Sequence, residues 1–444
     1  MCSAPADPGR TSFKHVLNRD VAVNKSPLRV ILLIAFVDLA SFGLIIPLQP
    51  VYVRKLHADG VTFGALIAVY AATQFIFAPI LGRWSDRIGR RPILLVSTAG
   101  SVVAHLLLGF GDLAASLPLL FIARFIDGIT GANIAAAQAY IADVTTPETR
   151  ARGMGLFGAA FGAGFVVGPA IGAGLIALGR YVVGDSGTSW PGFGAAAISL
   201  VAFWLVLTRL PESVAPGQSH AATERSFSFA RLAAALHRPR LAELLSLYFV
   251  LTFAFVFLEV TFVLLCMDEL GISEASTMGL FACLGMLMVM VQGGLVGRLA
   301  PRLGEPTLLS IGPMFTAVGF VLIALAPQTD GYVPPWLYML IACVPLTLGN
   351  GLTNPSLMSL VSRQSDSERQ GATLGLAQGL ASLARATAPL LGGWLFDVRP
   401  SIPYWTGAGA FALCTVVALL IRKKQVANLE GNKKVSGWCA GESR

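Results

Sequence analysis

Stretches of about 20 apolar residues recur along the whole length of this chain, and that recurrence leaves few folds open. A helix or a closed barrel is the only backbone that satisfies its own polar groups inside a bilayer. Runs of this length suit helices, because a hydrocarbon core roughly 30 Å thick needs roughly 20 helical residues. Twelve spans are expected, over residues 28–52, 62–82, 93–111, 117–142, 153–179, 191–209, 242–266, 276–297, 307–326, 335–362, 371–395 and 402–422. The chain is 13% charged, against roughly 25% in a soluble domain, and its mean hydropathy is +0.70. The expected class is therefore an all-α integral membrane protein of twelve transmembrane helices. Its parts are an N-tail at 1–27, a six-helix bundle at 28–209, a linker at 210–241, a second bundle at 242–422 and a C-tail at 423–444.

The basic residues orient these spans. If both ends are cytoplasmic, 26 of the 32 Lys and Arg fall in the tails and loops of that side or, as Arg29, Arg209 and Arg422 do, at the span ends that face it. Only Arg54, Lys55, Arg180 and Arg399 fall on the other, while Arg124 and Arg385 lie within spans. This is the asymmetry of the positive-inside rule. The net charge of +8 thus reflects topology and contact with anionic lipid head groups, and no nucleic-acid partner is expected. Asn24 lies in the N-tail and Asn354 precedes Pro355, so the opposite loops carry no glycosylation sequon, which favours a bacterial inner membrane. The six cysteines have no ligand spacing and read as small apolar residues, and no metal or cofactor is expected. With no HExxH, nucleophile motif or phosphate-binding loop, neither an enzyme nor an ATP-driven pump is expected.

An internal repeat divides the spans six and six. The fifth, "GLFGAAFGAGFVVGPAIGAG", places Gly155, Gly164, Gly168, Pro169 and Gly172 at spacings that the eleventh repeats with Gly375, Ala384, Ala388, Pro389 and Gly392. The loop "GRWSDRIGRRP" after the second span has its counterpart in "GRLAPRLGEP" after the eighth. Gly82, Arg83, Arg87 and Gly89 find partners in Gly297, Arg298, Arg302 and Gly304, whereas Asp86 meets Pro301. Two related halves with a binding site between them is a plan of secondary transporters that rock about a central site.

The Gly82–Pro92 stretch resembles the loop signature of the major facilitator superfamily, and Gly155–Gly172 is similar to the fifth-helix motif of its drug/proton antiporters. "RFIDGITGANIAAAQAYIAD", "ETRARGMG" and "VDLASFGLIIPLQPVY" look most like the tetracycline efflux branch. The resemblance covers all twelve spans and implies two pseudo-symmetric bundles working by alternating access. It implies that the Gly82–Pro92 loop latches the halves on the cytoplasmic side. Asp86 would face the start of the eleventh span, and Arg87, Arg90 and Arg91 would meet acids near the fourth, Asp143 before Asp127. It also implies that the Gly168-Pro169 motif bends the fifth helix at the interface between halves, whereas ordinary small-residue packing would use the same residues. The chain departs from the branch where its coupling residues stand: the acids of the third and ninth spans fall on Ala104 and Thr316, and a histidine of the eighth on Met288.

Ionisable groups inside spans are costly and so point to function. Asp38 leads a polar face with Ser41 and Gln49 in the first span. Arg124 and Asp127, three apart, either neutralise each other or work in coupling, and an arginine at this place of "RxxxG" is implicated in proton transfer by the resemblance. Glu259 stands on an apolar face as a carboxyl able to carry a proton, or as the partner of Arg385. His105 either titrates or packs. Gln74, Asn133, Gln138, Asn350 and Asn354 add neutral hydrogen-bonding capacity. The leading reading is a monomeric, proton-coupled exporter of amphipathic small molecules. A lipid or organic-anion translocator or a proton symporter of the same fold, and a non-transporting sensor, are the alternatives.

Overall fold

The structure is a computed structural model that describes residues 25–213, 237–328, 333–364 and 370–441. Most of the N-tail and of the expected linker, 1–24 and 214–236, lies outside the described residues. Among the described residues every regular element is helical. Ten helical segments among the described residues are long and apolar enough to cross a bilayer. The expected eighth span is helical throughout but changes type: an α-helix Glu274–Met290 passes through a π-helical turn, Val291–Leu295, into Val296–Leu303. The expected eleventh span is a 29-residue helix, Gln370–Val398.

The first half comprises α1 (Lys25–Ile45), α2 (Gln49–Lys55), α3 (Gly60–Ile88), α4 (Arg90–Leu113), α5 (Leu117–Thr130), α6 (Ile134–Asp143), α7 (Pro147–Val183) and α8 (Trp190–Arg209). Pro47 and Pro50 remove backbone donors where α1 gives way, through a 3-10 turn at Ile46–Leu48, to α2. A second 3-10 turn, Gly131–Asn133, separates α5 from α6. The second half comprises α9 (Pro239–Leu264), α10 (Glu274–Met290), α11 (Val296–Leu303), α12 (Glu305–Leu325), α13 (Pro335–Arg363), α14 (Gln370–Val398) and α15 (Ile402–Gly441). The twelfth span runs over Ile402–Lys423, and its helix continues beyond it into the expected C-tail.

The repeat is visible in the backbone. Gly89 at φ +107° and Gly304 at φ +76° each end one helix and begin the next, a conformation that a side chain would strain. Gly82 and Gly297, the other glycine pair of the repeat, lie inside helices. The turn needs one residue of positive φ, and the second glycine of each loop supplies it.

Two seams join the halves, α3 along α14 and α7 along α10. The first is tightest at the end of the bundle away from the Gly82–Pro92 loop, called here the far end. A Cβ on Gly64 would stand 2.2 Å from the Pro389 carbonyl oxygen, and one on Gly393 2.0 Å from that of Gly60. Asp397 of α14 caps the N-terminus of α3, accepting from Gly60 N at 2.8 Å and Val61 N at 2.9 Å. Asp59 caps the same helix from within its own half through Thr62 N at 2.8 Å, and those hydrogen bonds hold its carboxyl below the usual range. Ion pairs Arg54–Asp268 and Arg180–Glu274, the latter 2.8 Å, also bind half to half there. Along the second seam a Cβ on Gly285 would be 2.8 Å from Val166, and one on Gly162 3.4 Å from Val289. Gly155, further toward the loop end, has open space beside it.

Because the Gly64 contact is with backbone, it cannot yield by a rotamer change. Gly64→Leu is expected to part the halves at the far end, raising several-fold the alkylation rate of a cysteine placed at Val61. An unchanged rate would mean that the seam does not hold that end shut.

Candidate functional site

A buried polar cluster occupies the middle of the first half. Asp127 lies one turn after Arg124 on α5, and the two form an ion pair of 2.5 Å with both side chains under 5% exposed. The Arg124 guanidinium also lies over the Tyr70 ring, 4.1 Å from its centroid, which spreads its charge over an aromatic face. Gln74 holds that tyrosine, donating to its hydroxyl at 3.1 Å and to the Gly131 carbonyl at 3.0 Å. The 3-10 turn after α5 aims Asn133 at Asp38, with Nδ2 donating to Oδ2 at 3.2 Å.

From Asp38 the cluster runs through neighbouring helices. Ser41 donates to the Asp38 carbonyl at 2.7 Å, Ser199 of α8 donates to Ser41 at 3.0 Å, and His105 Nδ1 lies 2.9 Å from Ser199 Oγ. His105 Nε2 in turn is 4.0 Å from Asp127 Oδ1. The structure thus brings together Asp38, Ser41, His105, Arg124, Asp127, Gln74 and Asn133. Gln49, on α2, is buried with its Oε1 unsatisfied, and Gln138, on α6, is exposed. Ser199 carries the network across a helix boundary, and as one serine in the apolar run "AAAISLVAF" it offers no pattern by which sequence would find it.

The second half presents its charges differently. Glu259 on α9 and Arg385 on α14 are both exposed and within electrostatic reach of each other, yet they do not close to a 4.0 Å ion pair. The Glu259–Arg385 salt bridge, the alternative to a proton-carrying Glu259, is therefore not formed in this conformation. Asn354 donates to Asn350 at 2.9 Å within α13. Between α7 and α10 lies a cavity of about 460 Å³ lined by Val166, Ala170, Ile171, Ala282, Cys283 and Met286, with Val167 beside them.

At the loop end, Arg90 is buried and bridges two acids, Asp86 and, at 3.1 Å, Asp143. Asp143 is thus the acid met by the loop, as expected, while Asp127 is occupied by Arg124. Arg87 is exposed, and Arg91 donates to the Leu207 carbonyl at 2.8 Å. Glu212, missed in the sequence, closes the turn: its carboxylate accepts from Arg90 N at 2.8 Å and Arg91 N at 3.1 Å, beside Gly89. A carboxylate at the first turn of α4 suits the unpaired amides and dipole there. Residues 365–369, just before α14, lie outside the described residues.

The α7 helix runs unbroken for 37 residues through Pro169. Its glycines pack within the first half: a Cβ on Gly164 would meet Leu39 at 2.8 Å and one on Gly168 Leu44 N at 2.5 Å, both on α1. Gly172 alone reaches both ways, to Leu44 and to Met278 of α10 at 3.5 Å. The expected place of this motif between the halves is corrected accordingly: its closest fit is to α1, and other residues of α7 meet the second half.

Removing one partner of a buried pair leaves an uncompensated charge. Asp127→Ala is expected to cost about 3–5 kcal/mol, read as a lower melting temperature in detergent, and replacing Arg124 and Asp127 together by leucine should recover most of it. A double variant no more stable than the single would assign the loss to something other than the pair.

Comparison with known proteins agrees with this architecture. The family model described as Major Facilitator Superfamily matches residues 31–389 and 297–438. The chain is 32% identical over 404 residues to the class D tetracycline resistance protein of Salmonella ordonez, covering 89% of this chain and 97% of that one. It is 28% identical over 392 residues to multidrug resistance protein 2 of Bacillus subtilis (strain 168), covering 87% and 93%. Its fold matches the crystal structure of a D-xylose–proton symporter with a TM-score of 0.72 at 17% identity, over 88% of this chain and 97% of the other. A multi-pass membrane protein of a transporter family, rather than of an enzyme class, accounts for both the helices and the buried charges. The chain belongs to the Major Facilitator Superfamily.

Proposed function

We propose that this protein is a proton-coupled exporter of amphipathic small molecules in a bacterial inner membrane, working as a monomer with both termini cytoplasmic. The observation that carries the reading is the contrast between the halves. In the first half Arg124 and Asp127 neutralise each other, whereas in the second Glu259 and Arg385 stand exposed and apart. A carboxylate and a guanidinium left open among apolar helices suit a ligand with its own polar head and apolar body. Protonation of Glu259 removes the charge that a cationic or hydrogen-bonding head would meet, so proton and substrate compete for the same group. Competition of this kind is the basis of antiport, since each ligand leaves as the other binds. Similarity to tetracycline and multidrug resistance proteins supports the same class of substrate.

The lysine and arginine asymmetry supports a cytoplasmic loop end. With the far end clasped by Arg54–Asp268, Arg180–Glu274 and Asp397, the conformation is then one that opens inward. Export requires those contacts to part and the loop end to close. The Gly82–Pro92 loop, with Arg90 between Asp86 and Asp143, is the part we assign to that closure.

Purified protein in liposomes, offered tetracycline and ethidium as probes, tests the reading. Uphill efflux is expected to vanish with a protonophore and with Glu259→Gln, and to acidify the compartment the probe leaves. Efflux that survives both treatments would sink proton coupling. Asp86→Asn should impair efflux while leaving insertion and orientation intact, as judged by labelling from each side, and normal efflux would reduce the loop to a topology signal.

A further inference from the structure

His105 sits at the end of a hydroxyl chain whose direction is dictated by its far terminus. The Asp38 backbone carbonyl can only accept, so the single proton of Ser41 Oγ is committed to it at 2.7 Å. Ser41 can then only accept from Ser199, whose own proton is committed to Ser41 at 3.0 Å. Ser199 can therefore only accept from the ring nitrogen 2.9 Å away, and Nδ1 of His105 must carry a hydrogen. The backbone of Ala195 is a further partner of the ring.

Neutral imidazole has one N–H, so the other nitrogen is bare. That nitrogen, Nε2, is buried, has no hydrogen-bond partner and lies 4.0 Å from Asp127 Oδ1. A lone pair facing a carboxylate in a membrane interior is an arrangement that one added proton converts into a charge-assisted hydrogen bond. Charge balance points the same way. With both carboxylates ionised, Arg124, Asp127 and Asp38 sum to one negative charge, and an imidazolium brings the cluster to neutrality. The same proton sets His105 in competition with Arg124 for Asp127, because Arg124 Nη1 holds the other oxygen, Oδ2.

We infer that His105 Nε2 and Asp127 form a second proton-holding site, in the first half of the protein, whose occupancy weakens the grip of Asp127 on Arg124. The site rests on the reading of the chain as a proton-coupled carrier, and it adds to Glu259 a site in the opposite half. The ionisable groups facing it are Arg124 and Asp127 from α5, Tyr70 from α3 and Asp38 from α1. On α8 its neighbour is the non-ionisable Ser199, and on α6 Asp143 is engaged with Arg90 at the loop end. Nothing in the step is oxidised or reduced: a proton from water joins Nε2, and the Nδ1–H stays on Ser199.

Nitrogen-15 NMR of the full-length protein in nanodiscs, labelled at histidine and assigned with His105→Gln, reads this directly. Across roughly pH 5 to 9, the range in which histidine titrates, His105 Nδ1 should stay protonated while Nε2 passes from bare to protonated as pH falls. Asp127→Asn should displace that transition. A bare Nδ1 with protonated Nε2 at high pH, or an Nε2 that never titrates, would overturn the site, and both are read on the unaltered protein if a variant fails to fold. Absence of protonophore-sensitive efflux with the titration intact would instead remove the exporter reading and leave the proton site standing.

Discussion

The ion pair of Arg124 with Asp127 is the interaction on which the first half is organised. A guanidinium at membrane depth has to be neutralised and hydrogen-bonded, because the surrounding hydrocarbon offers neither counter-charge nor water. Asp127 supplies the charge from the next helical turn, and the ring of Tyr70 supplies an aromatic face on the other side. Satisfying those two groups fixes α5 against α3 and aims the free oxygen of Asp127 at His105. From there the serines of α8 and α1 extend the same network to Asp38, so five helices share one set of polar contacts.

The second half carries no such closed network among its described charges. Glu259 and Arg385 lie near each other without pairing, and both are exposed. One half therefore resembles a set structural frame with a titratable corner, and the other an open polar gap in an apolar wall. This division suits a carrier whose two halves move as bodies, since the first half keeps its own closed network as it moves. The clasp at the far end is built from backbone apposition at Gly64 and Gly393 together with a cap, Asp397, lent by one half to a helix of the other. Such contacts are strong when made and leave few buried groups stranded when broken, because surface charges regain water on parting.

Much of this was legible in the chain. The apolar runs marked the helices, the small-residue spacing marked the repeat, and the cost of ionisable groups inside spans marked Asp38, His105, Arg124 and Asp127 as separate candidates, which the structure joins. The acid that meets the arginine loop, Asp143, was also found from its place near the end of a span. What escaped were residues whose importance lies only in where they end up. Glu212 closes the Gly89 turn from more than a hundred residues away, Asp397 caps a helix of the opposite half, and Ser199 is one hydroxyl among apolar neighbours. None has a local pattern, because a single capping or relaying atom imposes no periodicity on the residues around it.

By itself, then, the sequence determined that the chain is a bundle of membrane helices in two related halves, that basic residues gather on one side, and which buried charges had to find partners. Those properties follow from transfer free energies and helical period, which depend on each segment alone. The tertiary structure decided that Arg124 takes Asp127, that Glu259 and Arg385 stay apart, that the glycines of α7 serve α1, and that His105 presents a bare nitrogen to Asp127. These are outcomes of distance and direction between helices far apart in the chain, where a shift of about 1 Å makes or breaks a hydrogen bond.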